Sequence, residues 1–255
     1  MRAIGVAVLL ILPAAGAQLK PETAAAFDRY IRQTEQRVDE RKGQLWSDES
    51  PERARRVRGG EVVVEPFHEN ALVSVPDGLI HDWIGAAFLP GVTVEQTLAL
   101  VQDYDRHKQV YRPEVVDSRI LSHDGNHFRV FLRLLKKKVI TVVLDTDHDV
   151  HYERLDAHRW RSVSRTSRIS EVSDAGEASE KDLPPGTGQG FLWKLNSYWQ
   201  FQERDGGTWI ECEAISLTRD VPTGLGWAIQ PIIKTLPRDS LQNTLRATRA
   251  ALVGR

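Results

Sequence analysis

The sequence predicts an α+β fold in which a curved antiparallel sheet wraps around a long C-terminal helix. Three observations carry this. Trp193, Leu195, Trp199 and Phe201 fall on odd positions of the stretch 190–201, the period-two signature of a half-buried strand. Asp205-Gly206-Gly207 is a strong hairpin signal, because Asp and Gly tolerate the positive φ such a turn needs, and 208–219 alternates in its turn. After Pro222, a residue suited to a first helical turn, Leu225, Ile229, Ile232, Ile233, Leu236, Leu241, Leu245 and Leu252 recur at mostly three- and four-residue steps. That is the apolar stripe of one long helix. Pro231 and Pro237 each remove an amide donor, so the helix is expected to kink or break there. A stripe of that length needs a large concave surface, and only the upstream strands supply one.

The chain has 255 residues, 41% hydrophobic and 27% charged, with a formal net charge of −1. These are the proportions of an ordinary soluble globular protein. Near-neutral charge gives no bulk attraction for nucleic acid or an anionic membrane. A single cysteine, Cys212, excludes an intrachain disulfide and any zinc site built on several cysteines. At the N-terminus, Met1-Arg2 is followed by an apolar run to Leu12, then Pro13 and Ala15-Gly16-Ala17. The run is shorter than the about 20 residues that span a bilayer. Residues 1–17 are expected to be a cleaved signal peptide, with a mature chain beginning near Gln18 and a periplasmic or secreted destination.

Residues 18–60 read as an N-terminal helix and a linker. Phe27, Tyr30, Ile31, Thr34 and Val38 mark a thin face of that helix, which is expected to dock weakly, and Asp48 to Gly60 is charged and rich in turn formers. Residues 61–77 form an added strand or hairpin segment around a turn at Glu69-Asn70. The main domain is expected over 78–255. Leu79 to Leu89 reads as a strand closed by Pro90-Gly91. Thr93 is a suitable N-cap for a short helix with Val94, Leu98 and Val101 inward, and 104–110 continues as a second. Strands are expected over 115–122 and 127–135 around Asp124-Gly125-Asn126, then over 139–152 and 160–172. Lys136-Lys137-Lys138 is expected to turn, and 173–188, with Pro184-Pro185-Gly186, to be a flexible connection.

One strand, two short helices, about six successive antiparallel strands and a terminal helix resemble the START-like superfamily. This helix-grip fold is shared by lipid-transfer START domains, polyketide cyclases, coenzyme Q-binding proteins and birch-pollen-type allergens. The resemblance covers about Gly78 to Leu252. It rests on the element order, on Gly190-Phe191-Leu192-Trp193 to Tyr198-Trp199, and on Glu211-x-Glu213-x-Ile215-Ser216-Leu217-Thr218-Arg219-Asp220-Val221-Pro222 before the helix. In detail the chain is similar to secreted bacterial START-like proteins. The resemblance implies a fold and a ligand class, bulky hydrophobic molecules, but no reaction, and it carries over no catalytic residue.

Candidate side chains are weighed against plain structural roles. His81 and Trp83 share a face of the first strand, with Asp82 opposite. On a cavity wall His81 would orient a ligand or act as a base; otherwise it is a hydrogen-bonded core histidine. Glu211 and Glu213 share a face with Trp209, Ile215 and Leu217. Buried acids need partners. Glu213 in a cavity would be a general acid or base; at an open sheet end it would be neither. Trp83, Trp193, Trp199 and Trp227 would stack on a flat ligand or fill the core. His148 and His151 face opposite ways and cannot share a metal. Asp145, Asp147 and Asp149 are about 7 Å apart in steps of two and are expected to pair with arginines such as Arg129 and Arg133 in solvent. The three lysines 136–138 are expected to be solvated, with acidic headgroups the alternative. No nucleophile elbow, phosphate-binding glycine loop or zinc-peptidase motif is present.

The expected cavity residues are His81, Trp83, Tyr198, Glu213, Trp227, Ile229, Ile232, Ile233, Leu236, Leu241 and Leu245, with no metal and no cofactor. The first functional expectation is a carrier or sensor of a lipid, quinone or polyketide-like molecule held between sheet and helix. The alternatives are a cyclase or dehydratase working with His81 and Glu213, and an interaction module whose cavity is filled by its own side chains. Nucleic acid is not an expected partner, membrane contact would be transient, and the sequence does not fix the oligomeric state.

Overall fold

Strands β3 (Gly78–Pro90) and β10 (Gly207–Arg219) form the longest ladder of the molecule, antiparallel from Gly207 opposite Pro90 to Arg219 opposite Gly78. The computed structural model describes residues 16–68, 72–137, 141–220 and 226–253, the last stretch with side chains from residue 235 onward. The sheet continues from β10 through β9 (Lys194–Arg204), β7 (Arg159–Ser173), β6 (Thr141–Arg154) and β5 (His127–Lys137) to β4 (Val115–Asp124). Every pairing is antiparallel. Two short strands, β1 (Val63–Pro66) and β2 (Leu72–Val75), lie end to end along the free edge of β3. Residues 61–77, expected as an added strand or hairpin segment, thus supply two strands that each pair with β3 and not with each other; the expected turn at Glu69-Asn70 lies outside the described residues. A two-residue strand, β8 (Lys181–Asp182), pins the 173–188 connection to β7.

Two short helices follow β3 as expected. Thr93 and Gln96 form a reciprocal capping box at the start of α3 (Val94–Val101), and a 3-10 turn at Tyr104–Arg106 leads into α4 (His107–Val110). The terminal helix α5 runs from Gly226 to Leu252 without a break at Pro231 or Pro237; the expected start at Pro222 lies outside the described residues. Leu241 and Leu245 are buried against β3. A Cβ at Gly85 would stand 2.7 Å from Leu245 Cδ1, so only glycine lets the helix come this close to the strand. The α5 side of the sheet is its concave face. On β3 it carries the odd positions, among them His81, Trp83, Ala87 and Leu89; on β10 it carries Ile210, Cys212 and Ala214.

The convex face is covered by the N-terminal segment. Helix α1 (Pro21–Glu40) buries Phe27, Ile31, Thr34 and Val38, and the apolar members of that row pack on Ile80, Tyr198, Ile215 and Leu217. Next to it, Leu45, Trp46 and Val57, from the 3-10 turn Trp46–Glu49 and α2 (Pro51–Arg58), pack on Ile84, Ala86, Phe88 and Trp209. The expectation of a weakly docked surface helix is corrected here. Its apolar stripe is thin, but polar links complete the contact: Arg161 and Arg165 of β7 pair with Asp39 and Glu35, and Thr23 Oγ1 donates to Pro76 O at 2.7 Å. Trp193 also departs from expectation. It precedes β9 and packs with the convex cluster, so the alternation begins only at Leu195. The aspartates pair with arginines as expected, Asp145 with Arg133, Asp147 with Arg168 and Asp149 with Arg129, but Asp145 is buried and not in solvent.

Docking of α1 is testable. Phe27 is 2% exposed, so Phe27→Ala should cost about 3–5 kcal/mol in urea denaturation. A loss below about 1 kcal/mol would restore the weakly docked helix.

Candidate functional site

The concave wall is built from aligned rows that cross five and six strands. One row runs from His81 to Ser216 and Leu195, then to Thr166 and His148; the Leu195 amide donates to Thr166 Oγ1 at 3.0 Å and closes the step from β9 to β7. The row beside it is Trp83, Ala214, Ser197, Ser164, Val150 and Phe128. Toward Leu245 the wall is packed, with Leu98, Val101, Phe128, Val150, Phe201 and Ile210 buried together, and Trp83 and Leu241 belong to the same cluster. At the other end Val115, Leu134, Leu144 and Ile169 are buried, while Tyr111, Leu132, Val142, Leu192 and Leu195 around them are only half-buried.

The histidines of this wall are neutral, whereas Lys136, expected in solvent, donates to Ser240 Oγ of α5 at 2.8 Å and pairs with Glu114 beneath the helix. Burial pushes His81, His107 and His148 down to about 4, so all three are uncharged at neutral pH. Their hydrogen bonds assign tautomers. Thr146 gives its proton to Leu132 O at 2.8 Å, so its oxygen accepts from His148 Nε2 at 2.9 Å, and His148 Nδ1 faces Ser164 Oγ at 3.4 Å. His107 Nε2 donates to Val101 O at 3.1 Å. Tyr104 and Tyr152 share a hydrogen bond of 2.8 Å, and Tyr111 meets Thr248 Oγ1 at 3.1 Å. Thr218 donates to Arg219 O at 3.2 Å and accepts from His81 Nε2 at 3.0 Å, which leaves His81 Nδ1 as a bare acceptor. It has no partner among the described residues, and neither has Trp83 Nε1.

Among the expected cavity residues, His81 and Trp83 lie on this wall, and Leu241 and Leu245 lie at its packed end. Leu236 is half-buried on α5. The side chains of Trp227, Ile229, Ile232 and Ile233 are outside the described residues. Tyr198 and Glu213 are on the other side of the sheet. They pair across β9 and β10 on the convex face, under α1, so the sheet stands between Glu213 and His81. Parity is the reason: β10 buries both faces, and its odd positions face the N-terminal segment.

On that convex face four polar side chains form a sealed cluster. Tyr30 donates to Asp82 Oδ2 at 2.6 Å, and Arg37 Nη2 donates to Glu213 Oε1. The Arg37 guanidinium lies 3.5 Å from the centre of the Phe67 ring. Tyr198 donates to Glu35 Oε1 at 3.0 Å. The carboxyls of Asp82 and Glu213 face each other. Burial, and then the neighbouring charge, push Glu213 up to about 8; burial raises Asp82 as well. The pair therefore holds one proton at neutral pH, and that proton supplies Asp82 Oδ1 with the donor it otherwise lacks. Glu211 accepts from the amides of Trp46 and Ser47, each at 2.7 Å. These acids anchor the N-terminal segment and take no part in a concave site.

The concave residues that the sequence reading passed over are His148, Thr166, Ser216, Leu132 and Leu195. A signal existed for His148: it shares its parity with Val150, and the register sets Val150 beside Phe128.

The two sets of shifted groups give opposite pH dependence. The histidines bind fewer protons folded than unfolded, so the stability they contribute is full above about 6.5 and is lost as pH falls toward about 4. Glu213 is the reverse: its contribution is full below about 4.5 and is lost as pH rises toward about 8. In a pH series of urea denaturation, Glu213→Gln should flatten the alkaline limb and leave the acid limb in place. An alkaline limb as steep as that of the unmodified protein would put the shared proton elsewhere.

No family model matches the chain, and no curated protein matches it in sequence. Among solved structures it is similar to a STAR-related lipid transfer protein fragment from Xanthomonas axonopodis, at 14% identity over 75% of this chain and 98% of that one, TM-score 0.47. It is similar to the di-domain ARO/CYC StfQ from the steffimycin biosynthetic pathway, at 15% identity over 90% of this chain and 60% of that one, TM-score 0.47. It is also similar to the lipid transfer and protein localization domain of human StarD13, at 8% identity over 83% of this chain and 98% of that one, TM-score 0.46. The helix grip itself is read from this chain's own elements: one strand, two short helices, an antiparallel sheet and a long helix lying on its concave face.

Proposed function

We propose that this protein binds a hydrophobic ligand on the concave face of its sheet, beneath α5, as a carrier or sensor. The observation that supports this most is the half-buried apolar wall. Leu132, Val142, Leu192 and Leu195 border a buried cluster yet are themselves only half-buried. Apolar surface left to water costs about 25 cal/mol per Å² relative to burial, and a lipid, quinone or polyketide-like molecule laid against these side chains would recover it. The neutral imidazoles and hydroxyls of the adjoining row would orient such a ligand without asking it to carry charge. The surface recesses among the described residues are poorer candidates. One of about 400 Å³ is lined by Asp156, His158, Arg159 and Glu203, and one of about 580 Å³ by Asp48, Arg55, Arg58, Arg204 and Asp205; both are bordered by charge. A cyclase-type reaction using His81 and Glu213 together is not supported, since the sheet lies between them.

A fluorescent fatty-acid or quinone displacement assay tests the proposal. Leu132→Ala and Leu195→Ala should weaken binding several-fold while costing less than about 1 kcal/mol of stability, because the side chains are only half-buried. Leu245→Ala, fully buried, should cost about 2–5 kcal/mol. Full affinity in the Leu132/Leu195 double variant would take the concave wall out of the proposal. Failure of every apolar probe would favour an interaction module with a filled interior. Export belongs to the same proposal and rests on the N-terminal sequence. Protein from the native host should begin at or near Gln18, and an intact Met1 in its cytosolic fraction would exclude export.

A further inference from the structure

We infer that the concave-face ligand is a neutral apolar molecule carrying a hydroxyl group, received between the ring nitrogens of His81 and Trp83. The inference rests on the concave-face reading above and adds a chemical class to it. Both side chains are buried, both project from the same face of β3, and they are two residues apart, about 7 Å along the strand. His81 Nδ1 and Trp83 Nε1 each lack a hydrogen-bond partner among the described residues. One unpaired buried polar atom costs about 1–3 kcal/mol, and such atoms are few in folded proteins. Two of them side by side on the wall of a proposed binding site point to a partner supplied from outside the chain.

Their chemistry is complementary. Thr218 has given its proton to Arg219 O, so the His81 proton sits on Nε2 and Nδ1 presents a lone pair. Burial keeps the ring neutral, with a pKa pushed down to about 4. Trp83 Nε1 is a donor only. One site asks for a donor and the other for an acceptor, and a hydroxyl is the smallest group that is both. A ketone would serve Trp83 alone. A carboxylate would set its lone pairs against that of Nδ1, and the neighbours in the two rows, Ser216, Ala214, Leu195 and Ser197, carry no positive charge. Phenols and sterols share the required group.

Matched pairs separate the hydroxyl from the rest of the molecule. The full chain is titrated with 2-naphthol against 2-methoxynaphthalene, and with cholesterol against its methyl ether, beside palmitate. We expect at least one alcohol to bind about tenfold tighter than its ether, the worth of about one hydrogen-bond pair, and the stronger pair to tell phenol from sterol. The ratio should fall to about one in Trp83→Phe and in His81→Phe. Where a variant does not fold, the ratio in the unmodified protein decides together with its histidine ¹⁵N spectrum, in which the alcohol should shift the His81 Nδ1 resonance and the ether should not. Equal binding of alcohol and ether, or binding of palmitate alone, overturns the inference and leaves the concave-face proposal standing. A ratio that survives both substitutions overturns it too, because the hydroxyl is then read elsewhere or through water. Binding of no probe removes both.

Discussion

The structure depends on burying both faces of the β3–β10 ladder. Every residue of β10 from Gly207 to Thr218 except Ala214 is buried. Strands buried on two sides are usually apolar on both, and this pair is not: it carries His81, Asp82, Glu211 and Glu213. His81 finds its partner in Thr218 of β10, but the three acids need partners that their own sheet does not give, because the backbone groups of both strands are spent on the ladder. The partners come from far along the chain. Tyr30 and Arg37 reach Asp82 and Glu213, and the amides of Trp46 and Ser47 reach Glu211. The N-terminal segment is therefore a layer of the fold, fixed by acids that would be intolerable beneath an empty surface.

This division gives the two faces different chemistry. The convex side is closed by ion pairs and by a carboxyl pair sharing a proton; in the cluster around that pair, Asp82 Oδ1 and Arg37 Nη1 have no hydrogen-bond partner among the described residues. The shared proton supplies the first of these. On the concave side the described side chains are packed at the Leu245 end. The polar groups of this side are hydroxyls, neutral imidazoles and the Lys136–Glu114 pair, and its apolar groups near Leu132 and Leu195 stop short of full burial. The rows through His81 and Trp83 carry no charged side chain, and Lys136 beneath α5 is paired with Glu114.

The sheet, the terminal helix and the capped helix after Thr93 were legible because each has a strong local period or cap. The pairing of Asp145, Asp147 and Asp149 with arginines was legible for the same reason. What failed was the assignment of faces. Alternation in 208–219 separates Glu213 from Cys212, but it does not say which set faces the helix. Two apolar faces were available to cover the odd set, the strong stripe after 225 and the thin one at Phe27, Ile31 and Val38, and the strong one was given both jobs. The acids were the missing clue. Glu211 and Glu213 fit poorly against an apolar stripe and well against a helix bearing Arg37 and Arg41. His148 was missed for a different reason: a strand histidine can be placed only once the register with β5 and β7 is known. The run through Pro231 and Pro237 shows that proline penalties are local and that packing of a long stripe outweighs them.

The central claim is that the two faces of one sheet have separate roles, a sealed convex side and a ligand-taking concave side. An apolar probe carrying a photoactivated diazirine, bound to the intact chain and mapped by peptide mass, tests this directly. The account predicts labels on Leu132, Leu195, Val142 and the face of α5 toward them. Labels concentrated on Phe27, Ile31, Ile215 or Leu217, beneath α1, would contradict it.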